Sequence, residues 1–119
     1  MRQRHTDFIV STTFTAITTV QFTTVVDTLA HDEAILWLDM GAVTGFPPIS
    51  MQGSPDGINF GDLYSSSGYT QIAYASPGLS EMTTFYEPLP RFIRAKVDPL
   101  GNPLTGTISF ALYKGSLPA

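Results

Sequence analysis

The residues whose types are suited to chemistry are two histidines, His5 and His31, and an oxygen-bearing series, Asp56, Asn59 and Asp62. His31 stands beside Asp32 and Glu33, which invites a metal reading. Neighbouring side chains in extended backbone point to opposite faces, however, and neither cysteines nor ligand spacing support it. The tract reads as a charged turn. The Asp56 series falls short of an EF-hand loop, and Asp56-Gly57 is explained by turn chemistry. Ser54 and the run Ser65, Ser66 and Ser67 lack a Gly-x-Ser-x-Gly context or an activating base. None of the ten acidic residues is singled out as a glycosidase pair. These residues predict no catalytic group, no metal and no cofactor, and therefore a protein that is not an enzyme.

What remains is contact chemistry. Tyr64 and Tyr69 bracket the serine loop, and Tyr74, Phe85 and Tyr86 lie on nearby predicted strands. Tyrosine gives large contact area at low entropic cost, so such residues stack on sugars in lectins and anchor protein contacts in assemblies. Arg2 and Arg4 lie on a polar start that can reach an acidic neighbour, and Arg94 and Lys96 share the solvent face of a late strand. The expected protein interface is Arg2, Arg4, Phe46, Tyr64, Tyr69, Tyr74, Arg94 and Lys96. Trp37 is expected in the core.

The elements that must position these residues are strands. From Arg91 to Tyr113, Ile93, Ala95 and Val97 alternate with Arg94 and Lys96; then Asp98-Pro99 and Gly101-Asn102-Pro103 break the chain, and Ile108, Phe110 and Leu112 alternate again. This pattern predicts an antiparallel hairpin that closes the edge of the domain. Upstream, residues 7–28 are rich in Thr and β-branched residues and predict two strands with a bend near 12–19. Residues 34–43 predict a strand covered on both faces, with Ile35, Trp37 and Asp39 on one side and Leu36, Leu38 and Met40 on the other. Ser54-Pro55-Asp56-Gly57 is a reverse turn between strands at 49–53 and 58–63, and further strands are expected at 70–75 and 81–87. About eight short strands, no helix and frequent Gly and Pro predict an all-β antiparallel sandwich, jelly-roll-like, over residues 7–119, with residues 1–6 as a flexible arm.

A chain of 119 residues and 12.9 kDa is one domain and buries about two-thirds of its extended surface on folding. It has no cysteine, so packing and hydrogen bonding must hold it. Only 13% of residues are charged, about half the usual share, which leaves a free monomer poorly defended against association and predicts a surface covered by partners. A net charge of −4 excludes nucleic acid and anionic membranes as main partners. No stretch resembles a secretory signal or a membrane span, so a soluble chain made in the cytoplasm is expected.

The segment Ile49 to Leu63, ISMQGSPDGINFGDL, followed by Arg91-Phe92-Ile93-Arg94-Ala95-Lys96-Val97 and a closing strand, resembles a module of small phage virion proteins. It is similar, more weakly, to discoidin-type carbohydrate-binding sandwiches, from which it departs in its short length and lack of terminal cysteines. In this reading Phe60 tucks under the sheet. The resemblance implies a virion structural protein, with capsid decoration or cement ahead of a tail or neck accessory. Its implied partners are further copies in a homo-oligomer and the major capsid protein, and its implied location is the virion. The alternative it implies is a carbohydrate-binding module, with a glycan as partner.

Overall fold

The computed structural model describes residues 4–29, 31, 33–63, 71–85 and 89–115. Ten strand segments follow one another: β1 (Arg4–Ile17), β2 (Gln21–Phe22), β3 (Val26–Asp27), β4 (Glu33–Val43), β5 (Pro48–Ser54), β6 (Gly61–Asp62), β7 (Gln71–Tyr74), β8 (Ser80–Phe85), β9 (Phe92–Val97) and β10 (Leu104–Gly115). They form an all-β sandwich of two antiparallel sheets. The first has the order β1-β10-β4-β8; the second has β2-β9-β5-β6, with β3 also on β9 and β7 also on β5.

The period-2 pattern of apolar residues decides which faces meet. Ala34, Leu36, Leu38 and Met40 of β4 and Leu104, Ile108, Phe110 and Leu112 of β10 point into the sandwich, and each is almost wholly buried. Ile49 and Met51 of β5 and Ile93, Ala95 and Val97 of β9 oppose them from the second sheet. Phe14, Val26, Val43 and Ala75 complete this core.

The residues 21–28 are stitched along β9 rather than forming one long strand. Thr23 N–H donates to the Ala95 carbonyl at 3.0 Å, and Ala95 N–H donates to Thr23 Oγ1 at 2.9 Å. Thr28 N–H donates to the Arg91 carbonyl at 2.8 Å, and its hydroxyl donates to the carbonyls of Pro90 and Arg91. Backbone groups that the short β2 and β3 would leave open, the Ala95 N–H and the Pro90 carbonyl, are thus met by threonine hydroxyls, one accepting and one donating.

Several expectations need correction. The stretch from Arg91 to Tyr113 is no hairpin: β9 and β10 lie in different sheets, because the break at 98–103 carries the chain across the core. Nor is β10 a closing edge, since β1 and β4 flank it. The predicted bend near 12–19 falls at the end of its range: β1 runs to Ile17, with a register shift between Phe14 and Ile17 and Ala16 at φ 47°, and residues 18–20 then carry the chain to β2 in the second sheet. Strand β1 starts at Arg4, paired with Gly115, so residues 4–6 of the expected arm are strand backbone; residues 1–3 lie outside the described set. Trp37 is 43% exposed and not core, because β4 is covered on one face only and Trp37 has the outward parity of Ile35 and Asp39.

Phe110, in the interior strand of its sheet and about 1% exposed, sets a direct check on this assignment. Phe110→Ala should lower unfolding free energy by about 3–5 kcal/mol in urea titration, and a loss below about 1 kcal/mol would mean the strand faces the other way.

Candidate functional site

The turn after β5 is built by two oxygen-bearing side chains. Ser54, buried, accepts the N–H groups of Asp56 and Gly57 at 3.2 and 2.9 Å and donates its hydroxyl to Asp56 Oδ1 at 2.8 Å. Asp56 Oδ1 accepts the N–H groups of Ile58 and Asn59, each at 2.9 Å, and Oδ2 accepts Asn59 Nδ2 at 2.8 Å. These bonds, foremost those from the Asn59 and Ile58 backbone, hold the Asp56 carboxyl far below the usual carboxylate range. Both Asp56 oxygens considered for a cation are thus engaged within the turn, by the Ile58 and Asn59 N–H groups, the Ser54 hydroxyl and the Asn59 amide. Among the described residues no group of three or more His, Asp or Glu side chains is placed to hold a metal.

The turn folds back over the outer face of the second sheet. Gly57 has φ +77°, a left-handed conformation that favours glycine, and it sits against the Phe92 ring, which a Cβ there would meet at an ordinary contact distance of 3.4 Å. Beyond it, Phe60 lies on Arg94 of β9. The guanidinium is stacked between two rings, with its carbon 3.8 Å from the centroid of Phe22 and 3.9 Å from that of Phe60. Its Nε donates to Gln52 Oε1 at 2.8 Å, and Gln52 Nε2 donates to Asp62 Oδ1 at 3.0 Å. Partial burial lowers the Arg94 pKa, which leaves it charged at neutral pH. Phe60 therefore covers the sheet from outside instead of tucking beneath it. Just before the strand, Arg91 makes a two-point ion pair with Asp27, Nε to Oδ1 at 2.8 Å and Nη2 to Oδ2 at 3.0 Å. That pair holds the Asp27 carboxyl below its ordinary value.

The outer face of the first sheet is differently made. Across it run three rows set by the register: Ile9, Ala111 and Ile35; Ser11, Ser109, Trp37 and Met82; Thr13, Thr107, Asp39 and Ser80. Ser11 and Ser109 hydroxyls are 2.8 Å apart, and Thr13 and Thr107 hydroxyls 3.2 Å. Ile9, Trp37 and Met82 are 62%, 43% and 63% exposed, and Asp39 is the single ionisable side chain in these rows. A hydroxyl and apolar surface of this extent, nearly free of charge, is the kind that interactions cover.

Of the eight predicted contact residues, the structure describes the side chains of four. Arg94 and Lys96 lie on the outer face of the second sheet, Arg94 already engaged by Phe22, Phe60 and Gln52. Phe46 and Tyr74 are exposed at one end of that sheet, where Pro48 pairs with Tyr74 and Ala75 N–H donates to the Pro47 carbonyl. Arg2, Tyr64 and Tyr69 lie outside the described residues, as does the side chain of Arg4. Ile9, Trp37 and Met82 were missed. The signal for them was the charge of Asp39, which marks the parity of Trp37 as outward.

No protein-family profile matches the chain, and no curated protein does. Among solved structures the chain is similar to that of Bacillus endospore appendages, described as disulfide-linked pili. The TM-score is 0.53 and the identity 17%, over 96% of this chain and 89% of that one. It is also similar to the SPBc2 prophage-derived protein YomS, with a TM-score of 0.52 and 12% identity over 88% of this chain and 95% of that one. At such identities the likeness is one of fold. Among the described residues no helix is long and apolar enough to cross a membrane.

The depressed pKa of Asp56 has a definite sign. Its contribution to stability is present above the unfolded carboxyl value of about 4 and is lost as pH falls through the lower folded value. Acid titration by NMR should show the Asp56 carboxyl still ionised at about pH 3, where an unperturbed aspartate is mostly protonated. Asp56→Ala should flatten the acid decline in stability; an unchanged decline would show that the turn does not depend on this carboxylate.

Proposed function

We propose that this chain is a non-enzymatic structural subunit of a phage-type particle, acting in many copies as a capsid decoration or cement protein. The observation that carries the reading is the outer face of the first sheet, where Ile9, Trp37 and Met82 lie exposed among hydroxyls with almost no charge. Such a face is costly to leave in water and suits a fixed neighbour. Support comes also from the fold likeness to a prophage-derived protein and to the pili of endospore appendages. Disulfide linkage is closed to this chain, which has no cysteine, so its assembly must rest on non-covalent contacts. In this reading the capsid lattice and further copies of the chain are the partners, Phe46 and Tyr74 add loop contacts at one end, and the protein resides in the virion.

Mass spectrometry of purified particles should find the chain in many copies. Met82→Glu, at a position 63% exposed, should leave unfolding free energy within about 0.5 kcal/mol of the parent while reducing incorporation into particles. Absence of the chain from particles, together with specific binding of a glycan in solution, would overturn the proposal.

A further inference from the structure

The first sheet ends in two edge strands, β1 and β8, and they are built differently. Strand β8 has 6 residues, and its Glu81 stands opposite the inward Leu38. A charge of inward parity guards an edge, because a further strand would bury it. Strand β1 has 14 residues, and from Phe8 to Ile17 it holds neither a charge nor a proline.

The direction of the β1 backbone groups follows from the register. Met40 N–H donates to the Leu79 carbonyl at 2.8 Å, so Met40 turns its backbone groups toward β8. This direction alternates along a strand, so Asp39, Trp37 and Ile35 bond to Thr107, Ser109 and Ala111 of β10. Ile108, Phe110 and Leu112 then bond to Thr12, Val10 and Phe8 of β1. Ile9, Ser11 and Thr13 are left with N–H and C=O directed away from the sheet. The side chains agree with this phase. Ser11 meets Ser109 and Thr13 meets Thr107, hydroxyl to hydroxyl at 2.8 and 3.2 Å, as suits the closer pairs that share no backbone bond. All three residues are exposed, and among the described residues no strand pairs with this side of β1. Thr24 N–H does reach Thr12 Oγ1 at 3.1 Å, but from beneath the sheet, since Thr12 has the inward parity of Val10 and Phe14.

We propose that the free edge of β1 pairs with β1 of a second copy of this chain, antiparallel about a twofold axis through Ser11. The free residues are evenly spaced around that axis. Ile9 faces the partner's Thr13, Ser11 faces the partner's Ser11, and Thr13 faces the partner's Ile9. Each facing pair exchanges both of its N–H···O bonds, so every free donor and acceptor of these three residues is satisfied. A slip by one residue would set inward side chains against outward ones, and a slip by two would leave edge groups unpaired. No charge lies between Phe8 and Ile17, so none meets its like across the axis. The axis is perpendicular to the sheet and keeps both outer faces on one side. The row of Ser11, Ser109, Trp37 and Met82 therefore runs on into the same row of the second copy. A self-complementary edge of this kind selects the chain itself as its occupant, and the guarded β8 edge stops growth at two copies.

This contact goes beyond the particle reading, because it forms in the free chain without a capsid. Sedimentation of the intact chain from about 1 to 500 µM should show the mass rising to twice 12.9 kDa. Amide hydrogen exchange at the two ends of that range locates the contact. The amides of Ile9, Ser11 and Thr13 should exchange at least about tenfold more slowly in the concentrated sample, and those of Val10 and Thr12 equally in both. Ser11→Pro removes an N–H that the fold itself does not use, so the variant should stay folded while its dimerisation weakens at least about tenfold. A chain that stays monomeric across the range, a dimer whose Ile9, Ser11 and Thr13 amides ignore concentration, or undiminished dimerisation of the proline variant would overturn the proposal. Exchange in the parent needs no substitution, so it decides the matter if the variant fails to fold. A monomeric chain found in many copies in particles sinks the edge contact alone, and a dimer absent from particles sinks the particle reading alone.

Discussion

The corner between β9 and β10 is the constraint on which the rest of the sandwich depends. Residues 98–103 lift the chain from the second sheet to the first, so that Ile93, Ala95 and Val97 on one side and Ile108, Phe110 and Leu112 on the other meet across a single core. The turn needs two left-handed residues in a row, Leu100 at φ 58° and Gly101 at φ 82°. For leucine that conformation is unfavourable, and local bonds offset it. Asp98 Oδ1 accepts the Leu100 N–H at 3.0 Å, and Asn102 N–H donates to the Pro99 carbonyl at 3.2 Å. Asp98 N–H is itself held by the Pro48 carbonyl, which ties the corner to β5.

Once the corner sets β10 between β1 and β4, the two outer faces take different roles. The second sheet covers itself: the Ser54–Asn59 turn, Phe60, Phe22 and Phe92 lie over β5 and β9, and the cation among them is fixed in one orientation. The first sheet has no such cover among the described residues, and its rows of Ile9, Ser11, Trp37 and Met82 are left to solvent. With 13% charged residues there is little on the chain to repel a neighbour from that side. This division of labour is the structural basis of the proposed assembly by surface complementarity.

Much of this was legible from alternation alone. The inward residues of β4, β9 and β10 follow from parity, and the turn at Ser54-Pro55-Asp56-Gly57 follows from residue type. Parity says nothing about which strands pair. Arg91 to Tyr113 has the composition of a hairpin, and its break even contains the left-handed pair Leu100-Gly101 that hairpin turns favour, yet β9 and β10 pair with strands of different sheets, a choice of partner that no local pattern encodes. Trp37 misled for a different reason: its size argues for burial, while its phase with Asp39 argues for exposure, and phase decides because one slip would invert the whole strand. The stack on Arg94 was partly legible, since its outward direction follows from β9, but Phe22 and Phe60 reach it from segments 72 and 34 residues away along the chain, beyond any local pattern.

The most direct test of the central claim is solvent access at the bare face of the first sheet. Hydroxyl-radical footprinting would compare oxidation of Trp37 and Met82 in the free chain and in purified particles. The account predicts ready modification of both residues in the free chain and strong protection of both in particles. Equal modification in the two states, with the chain present in the particles, would show that this face is not the surface through which it assembles.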